Sequence, residues 1–466
     1  MHATTLKPAP PLRLAGRSFG AQTGLAHASQ RAVYIFLLVQ FLSGALLIFE
    51  ELGAYRSYLR VIGFASSLCM FAVVTRFPYQ RTYPVKSLGA MFVVIMAIGI
   101  FHPNSNTVTS AACQLGINLA VWAPVFWCSR IAGDAPFMRN IVLFFWATSL
   151  MSSTVGVLQV YDPDRFAPSP EFIRKMLGTT ADGLMINLAD GRQIWRPMGL
   201  SDSPGGAAIA GAFTVIFGMG IAITERNLML RLAAVAGAGA GMFCVYICQV
   251  RSVFVMTLIG VVVYLIFMTV RQRLNRIAFL VFTIPAVVGG GYLWASSVGG
   301  GDVTSRLDTL SDQPAFDVYY KNRGHFIEHT IAELLPEYPM GAGLGRWGSS
   351  LSFFGNPDLP NSQPVWVEVQ LTAWLLDGGI PLVLVGYIGI LLACWTTAKL
   401  AVKASDPRIA DMAAAISGLN LSLVIITFNY PVFISQMGIS FFMMNGLLYL
   451  SAGGARQRTK AVAAYV

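Results

Sequence analysis

Charged residues are few in this chain: 12% of 466, against 55% hydrophobic, with a mean hydropathy of +0.62. So little charge spread over so much apolar sequence excludes a soluble multidomain protein and implies a polytopic membrane protein. Cysteine is scarce too. The six residues Cys69, Cys113, Cys128, Cys244, Cys248 and Cys394 all fall inside apolar stretches. None is placed for a disulfide outside a membrane, and none forms a metal-type pair; Cys244 and Cys248 read as small buried hydrophobes. No Walker-type loop occurs, and no Gly-x-Gly-x-x-Gly follows a strand. The basic loops are too short for a nucleotide-binding domain, which argues against an ATP-driven pump. Residues 1–31 lack a cleavable signal pattern; they are basic, polar and proline-containing, and are expected to form a disordered tail. No convincing internal repeat is visible.

Long apolar runs are abundant. Membrane-length segments fall near 32–49, 58–75, 87–101, 111–128, 141–160, 205–223, 229–248, 253–270, 277–297, 380–398, 412–428 and 432–450. The expected fold is an all-α polytopic membrane protein of about twelve transmembrane helices, a single transmembrane domain over 32–455 with a basic tail at 456–466. The shorter segment 365–376 ends at Asp377-Gly378-Gly379 and reads as a helix continuous with, or hinged to, the span after it. Charge divides by side. The N-terminal tail, the loops near 76–86, 129–140, 224–231, 271–276 and 399–411, and the C-terminal tail hold 20 Lys/Arg and 4 Asp/Glu; the remaining loops hold 12 and 18. Basic loops stay inside, so both termini are expected in the cytoplasm. The high pI is thus a consequence of topology and implies no nucleic-acid partner. Arg271-Gln272-Arg273 and Arg456-Gln457-Arg458 suit anionic lipid headgroups.

On the opposite face lie two long outer loops, 161–204 and 298–364. Long structured loops in a compact protein tend to carry function. The first holds an expected helix from Pro170 to Leu177, then Trp195-Arg196-Pro197 ahead of a span; Trp195 can anchor at headgroups or stack on a sugar face. The second begins polar at Gly299-Gly300-Gly301, reads as helical from Asp317 to Leu335, and is terminated by Pro336 and Pro339. A glycine-rich stretch from Gly341 to Gly348 follows, then Pro357, Pro360 and Pro364.

Arg251 is the most informative single residue. It sits in Gln249-Val250-Arg251-Ser252 between two apolar runs on the face where arginine is disfavoured. It can snorkel to water or pair with a carboxylate. A permanently charged fork of donors at that level also suits a phosphate or diphosphate. Arg196 and Arg323 are available on the same face. If a diphosphate is the leaving group, fixed arginines stabilise its developing charge without a metal. An acceptor hydroxyl then needs a base. Glu368, Glu328, His325 and Asp202 are candidates, with Glu368 first because it heads a membrane-entering helix, and His325 second because imidazole titrates near neutrality. Separately, His325-Phe326-Ile327-Glu328-His329 matches the inverted zinc-protease signature, with a third ligand to come from Glu333, Glu337 or elsewhere.

Four stretches together resemble the O-antigen ligase and polymerase superfamily, which includes exopolysaccharide polymerases. They are Arg196 to Pro204 opening a span, Gln249 to Ser252 between two spans, Arg323 to Gly345 with Pro339-Met-Gly341-Ala-Gly343, and Val365 to Ile380 with its acidic-glycine turn. The resemblance covers roughly residues 190–400. Val250 departs from the small hydroxyl residue usual before the arginine. The histidine the family often carries near the helix after the loop is absent, with Glu368 and Gln370 nearby instead. The resemblance implies a metal-independent membrane glycosyltransferase of the bacterial inner membrane, with no cofactor. Its donor would be a glycan on polyprenyl diphosphate, its acceptor a saccharide, and its partners the lipid bilayer and other polysaccharide-assembly proteins. Arg196, Arg251 and Arg323 would bind the diphosphate, Glu368 or His325 would act in catalysis, and the large loop would cap the site. The rival readings are a polysaccharide or lipid transporter or flippase, for which the spans offer few charged residues, and a membrane zinc protease through His325, Glu328 and His329.

Overall fold

The computed structural model describes residues 15–177, 182–312, 314–356, 358–359 and 367–463. Its main helices are α1 (Ala15–Ala45), α2 (Arg56–Val74), α3 (Lys86–Gly99), α4 (Val108–Trp127), α5 (Ala135–Tyr161), α6 (Pro170–Leu177), α7 (Gly206–Thr224), α8 (Leu228–Ile247), α9 (Arg251–Val270), α10 (Leu274–Ser311), α11 (Gly348–Phe354), α12 (Gln370–Lys403), α13 (Pro407–Ile426) and α14 (Gln436–Ala463). Among the described residues ten helices are long and apolar enough to cross a membrane. The all-α multi-pass class therefore holds. Two expected spans differ from the rest. Helix α3 has only 14 residues, about 21 Å of rise against a hydrocarbon core of ~30 Å. Helix α14, with Gln436 and Asn445 in its sequence, is not among the ten.

Local chemistry sets the helix starts. Thr107 caps α4 in a reciprocal box with Ser110, and Asp134, Asn227 and Asp406 cap α5, α8 and α13 with side-chain oxygens. Three expectations need correction. Helix α1 begins at Ala15, so the tail read as disordered is helical over its described part. Helix α10 runs through the glycines that read as the start of a loop at 298, bending at Gly300 (φ 57°, ψ −141°) and continuing to Ser311. A two-stranded hairpin, β1 (Met185–Asn187) with β2 (Gln193–Trp195), stands in the first outer loop where no strand was read. The expected helix from Pro170 to Leu177 is present. The expected helix from Asp317 to Leu335 is also present, between Ala315 and Glu337, interrupted by π-turns at Tyr320–Gly324 and Thr330–Leu334. Pro357, Pro360 and Pro364 lie outside the described residues.

The connections form two cross-linked sets. In one, Gln30 reaches the Ala132 carbonyl, Gln80 N donates to the Ser129 carbonyl, Arg139 pairs with Glu225 at 2.5 Å, and Asp411 takes both Arg271 at 3.3 Å and Arg276 at 2.5 Å. In the other, Arg56 and Arg60 clamp Asp202, Glu50 accepts from Ser169, Asn187 bonds Asp302, Arg323 pairs with Glu368, and the Tyr319 hydroxyl reaches the Phe428 carbonyl. The first set is the lysine- and arginine-rich group of loops; the second is the acidic group. Between them, close backbone contact between α7 and α8 depends on glycine: a Cβ on Gly241 would stand 2.7 Å from the Gly211 carbonyl. Aromatic packing of Phe92, Trp122, Trp374 and Phe442 joins α3, α4, α12 and α14. Asn420 and Asn445 exchange side-chain bonds of 2.7 and 3.0 Å between α13 and α14, and Thr397 of α12 donates to the same Asn445 oxygen.

One buried carboxylate ties the second large loop to the bundle. Asp377, 2% exposed, accepts from Gln114 of α4 at 2.7 Å and from the Trp347 indole at 2.8 Å, and Ser350 closes the chain onto Gln114 at 2.7 Å. Backbone bonds from Ala342 to the Leu376 carbonyl and from Ile380 to the Pro339 carbonyl flank it. These fit only because Gly379 adopts φ +68° directly against Pro339 and Met340. The expected hinge at Gly378-Gly379 is thus the seat on which the loop docks. Asp377→Asn replaces one accepting oxygen with a donor facing another donor. It should cost about 1–3 kcal/mol, read as a lower melting temperature with the helix content unchanged; an unaltered melt would show that the carboxylate holds nothing.

Candidate functional site

Arg196 leaves β2 in a rigid turn. Its backbone N donates to the Leu184 carbonyl at 3.0 Å, and buried Gln159 fixes the following residues by accepting from Met198 N and Gly199 N at 2.9 Å each. Arg251 is the first residue of α9, after a turn in which Gln249 takes φ 56°. A third arginine, Arg306, stands beyond the Gly300 bend of α10. The hairpin joins these parts: Ala189 N donates to the Val298 carbonyl at 2.8 Å, and Asn187 bonds Asp302 through its side chain at 2.9 Å and its backbone at 3.2 Å. The strand that ends just before Arg196 is thereby fastened to the helix that carries Arg306.

The positive charge of Arg306 acts on both Arg196 and Arg251. Burial, then repulsion from Arg306, holds the Arg196 guanidinium below the ordinary arginine range. Among the described residues neither Arg196 nor Arg251 has a salt-bridge partner, and each keeps a buried Nε without a hydrogen bond. Converging like charges in part-buried surroundings favour an anion that can accept several N–H bonds at once. Arg251 also stands at a helix N-terminus, where backbone dipoles add to the same preference. The sequence reading named Arg196 and Arg251 and passed over Arg306, because the segment around it read as loop.

The other expected site residues are placed differently. Arg323 is bound to Glu368, so it is engaged in tying the loop helix to the entrance of α12. Its expected role as a diphosphate ligand is thus joined to a structural one, and Glu368 has a cation for a neighbour. Asp202, a candidate base, is clamped by Arg56 at 2.8 Å and Arg60 at 2.6 Å. Glu328 accepts from the Tyr320 hydroxyl, the exposed His325 ring is 3.1 Å from the Tyr320 carbonyl through Nδ1, and His329 pairs with Glu333 at 3.1 Å. No three His, Cys, Asp or Glu side chains among the described residues are grouped to hold a metal. His102 is a titratable group that went unremarked in the sequence; burial first and then the charge of Arg346 lower its pKa.

Arg196 also borders a cavity of about 330 Å³. It is lined by Pro163, Pro168, Pro170, Pro197 and Gln159, and Glu50, Asp164, Gln193 and Trp195 add polar and aromatic surface. The Arg174 guanidinium lies 5.8 Å from the Trp195 ring centroid, so one side of the indole meets a cation. Arg251 does not line this cavity.

No protein-family model matches the chain, and no curated protein matches it.

If the arginines form an anion site, inorganic diphosphate should raise the melting temperature of the purified protein, since a ligand bound only by the native state stabilises it. Arg196→Gln should remove most of that rise. A melt indifferent to saturating diphosphate would place no such anion there.

Proposed function

We propose that the chain is a membrane glycosyltransferase of the polysaccharide polymerase or ligase type. It takes a glycan from polyprenyl diphosphate and transfers it to a saccharide acceptor, in O-antigen or exopolysaccharide synthesis. The acidic set of loops faces the periplasm of a bacterial inner membrane, and both termini are cytoplasmic. The observation that carries this reading is the gathering of Arg196, Arg251 and Arg306 in one electrostatic neighbourhood, with the first two lacking a carboxylate partner among the described residues. The charge count and the order of the four family-like stretches agree with it.

In the reaction the bond between the donor's anomeric carbon and the diphosphate oxygen breaks, and the negative charge stays on the lipid diphosphate. The arginines stabilise that charge as it forms, which lowers the barrier more than binding the ground state would. The acceptor hydroxyl forms the new glycosidic bond and gives its proton to a carboxylate or imidazole. Glu368 remains the first choice for that base and His325 the second. The Arg323 partner of Glu368 is then a positioning residue, holding the carboxylate beside the loop. Metal ions take no part in this scheme, because the guanidinium groups supply the charge.

The test is deletion of the chromosomal gene and complementation with variants, followed by glycan analysis. Loss of polymer with accumulated single repeat units marks a polymerase; intact polymer with an undecorated acceptor marks a ligase. Arg251→Lys keeps the charge and loses the two-pronged geometry. It should insert normally and restore less than about a tenth of the product, a loss equivalent to at least ~1.4 kcal/mol of transition-state stabilisation. Normal product from Arg251→Lys would remove this residue from the site. Glu368→Gln should lower transfer about 10²-fold while donor binding persists; full activity there, with loss in His325→Ala, would move the base to His325.

A further inference from the structure

One part of the outer loops is almost without charge. Residues 98–110 and 339–356 hold a single Lys, Arg, Asp or Glu between them, Arg346. The helical segment just before the second stretch holds Asp317, Lys321, Arg323, Glu328, Glu333 and Glu337. The fold brings the two uncharged stretches together. Leu344 lies against Gly99, and a Cβ on Gly343 would stand 2.7 Å from Ser105 N. Thr107 Oγ1 donates to the Phe354 carbonyl at 2.9 Å, and Asn106 exchanges bonds of 2.6 and 3.1 Å with the Asn356 backbone. Large apolar side chains of this pair stand bare: Phe101 is 86% exposed, Met340 68% and Phe353 55%.

Depth in the membrane points the same way. Helix α3 starts at Lys86, in the basic group of loops, and has 14 residues. Its far end at Gly99 therefore stops about 9 Å short of the far side of a ~30 Å hydrocarbon core. Either the chain beyond Gly99 lies within the outer leaflet or that leaflet thins to meet it. Arg346 is the charge at this level. Its Nη1 donates to the Ala342 carbonyl at 3.1 Å, its guanidinium bonds the Tyr338 hydroxyl and lies 5.9 Å from that ring's centroid, and its buried Nε has no hydrogen bond. The acids nearest in sequence do not pair with it among the described residues: Glu337 bonds the Tyr338 hydroxyl, Asp377 is taken by Gln114 and Trp347, and Asp358 forms no ion pair. His102 stands close enough to feel the Arg346 charge. Its Nδ1 accepts from Asn104 N at 3.2 Å, so Nε2 carries the proton as a neutral donor.

We propose that this patch is seated in the outer leaflet and holds a phospholipid, with the phosphate on Arg346 beside the His102 Nε2–H and the acyl chains against Phe101, Met340 and Phe353. An arginine at membrane depth lowers its cost by drawing a phosphate toward it, and phosphate accepts from both donors. Trp347, next in sequence, donates to Asp377, so the lipid and the hinge of α12 meet on adjacent residues. The assignment needs the membrane and its sidedness, and is independent of glycosyl transfer.

The test uses the full-length protein in nanodiscs of phosphatidylethanolamine and phosphatidylglycerol, with no polyprenyl lipid. A spin-labelled p-acetylphenylalanine replaces Phe101, Met340 or Phe353 in turn, leaving the native cysteines untouched. Power saturation then compares collision with oxygen, which partitions into lipid, and with a water-soluble nickel chelate. Oxygen is expected to dominate at all three positions. Dominance of the chelate puts the patch in water, and low collision with both puts it against protein or a second copy; either result overturns the proposal. The phosphate contact is read by solid-state NMR, as dephasing of isotope-labelled arginine Cζ by lipid phosphorus. Arg346→Gln should remove one arginine's share of the dephased signal, and an unchanged dephased signal overturns the contact. Arg346→Lys gives the same reading with the charge kept, since lysine has no Cζ, and serves where Arg346→Gln does not insert. Neither readout involves turnover, so failure here leaves the transfer reading intact.

Discussion

Like charges do not gather unless a frame holds them. Arg196, Arg251 and Arg306 sit on three separate segments, and Arg306 repels the other two. Left to itself, each guanidinium would swing toward water or a carboxylate, because isolated buried charge costs several kcal/mol. Their convergence is therefore a demand on the surrounding structure. The Gln159 amide pins the turn after Arg196, the break between α8 and α9 presents Arg251 at a helix start, and the hairpin fastens the strand before Arg196 to the bent end of α10. On the proposed reading, an entering anion would offset the cost of holding the cluster, as preorganised electrostatic sites do.

Several acidic residues of the same group of loops are engaged with other partners. Asp202 is consumed by Arg56 and Arg60, Glu368 by Arg323, and Asp302 by Asn187. At the opposite end Asp411 answers Arg271 and Arg276, and Glu225 answers Arg139. These carboxylates serve as ties, while Arg196 and Arg251 have no salt-bridge partner among the described residues. The Asp377 anchor does comparable work for the second loop, using three neutral donors and acceptors rather than a cation.

The helical frame was legible because periodic apolar runs of membrane length have few other solutions. Breaks that glycine or an isolated charge marks, at Arg251 and at Gly378-Gly379, were legible too. What was hidden depended on distant partners. The strands of three residues have no periodicity to detect, and Ile186 and Ile194, paired across them, are buried against the main core. Gly299-Gly300-Gly301 reads as a loop, yet the docked hairpin backs a helix that bends and continues, and that misreading concealed Arg306. Arg323 and Glu368 are 45 positions apart in sequence, so their pairing was invisible until the loop was folded back.

The central claim is that a polyprenyl diphosphate sits on the arginine cluster. The most direct measurement is photo-crosslinking of a diphosphate-bearing polyprenyl analogue to the protein in membranes, with the labelled peptides mapped. Labels within residues 193–206, 250–253 and 300–306 are expected. Labelling concentrated in the basic loops near 76–86 or 271–276 would contradict both the site and the topology on which it rests.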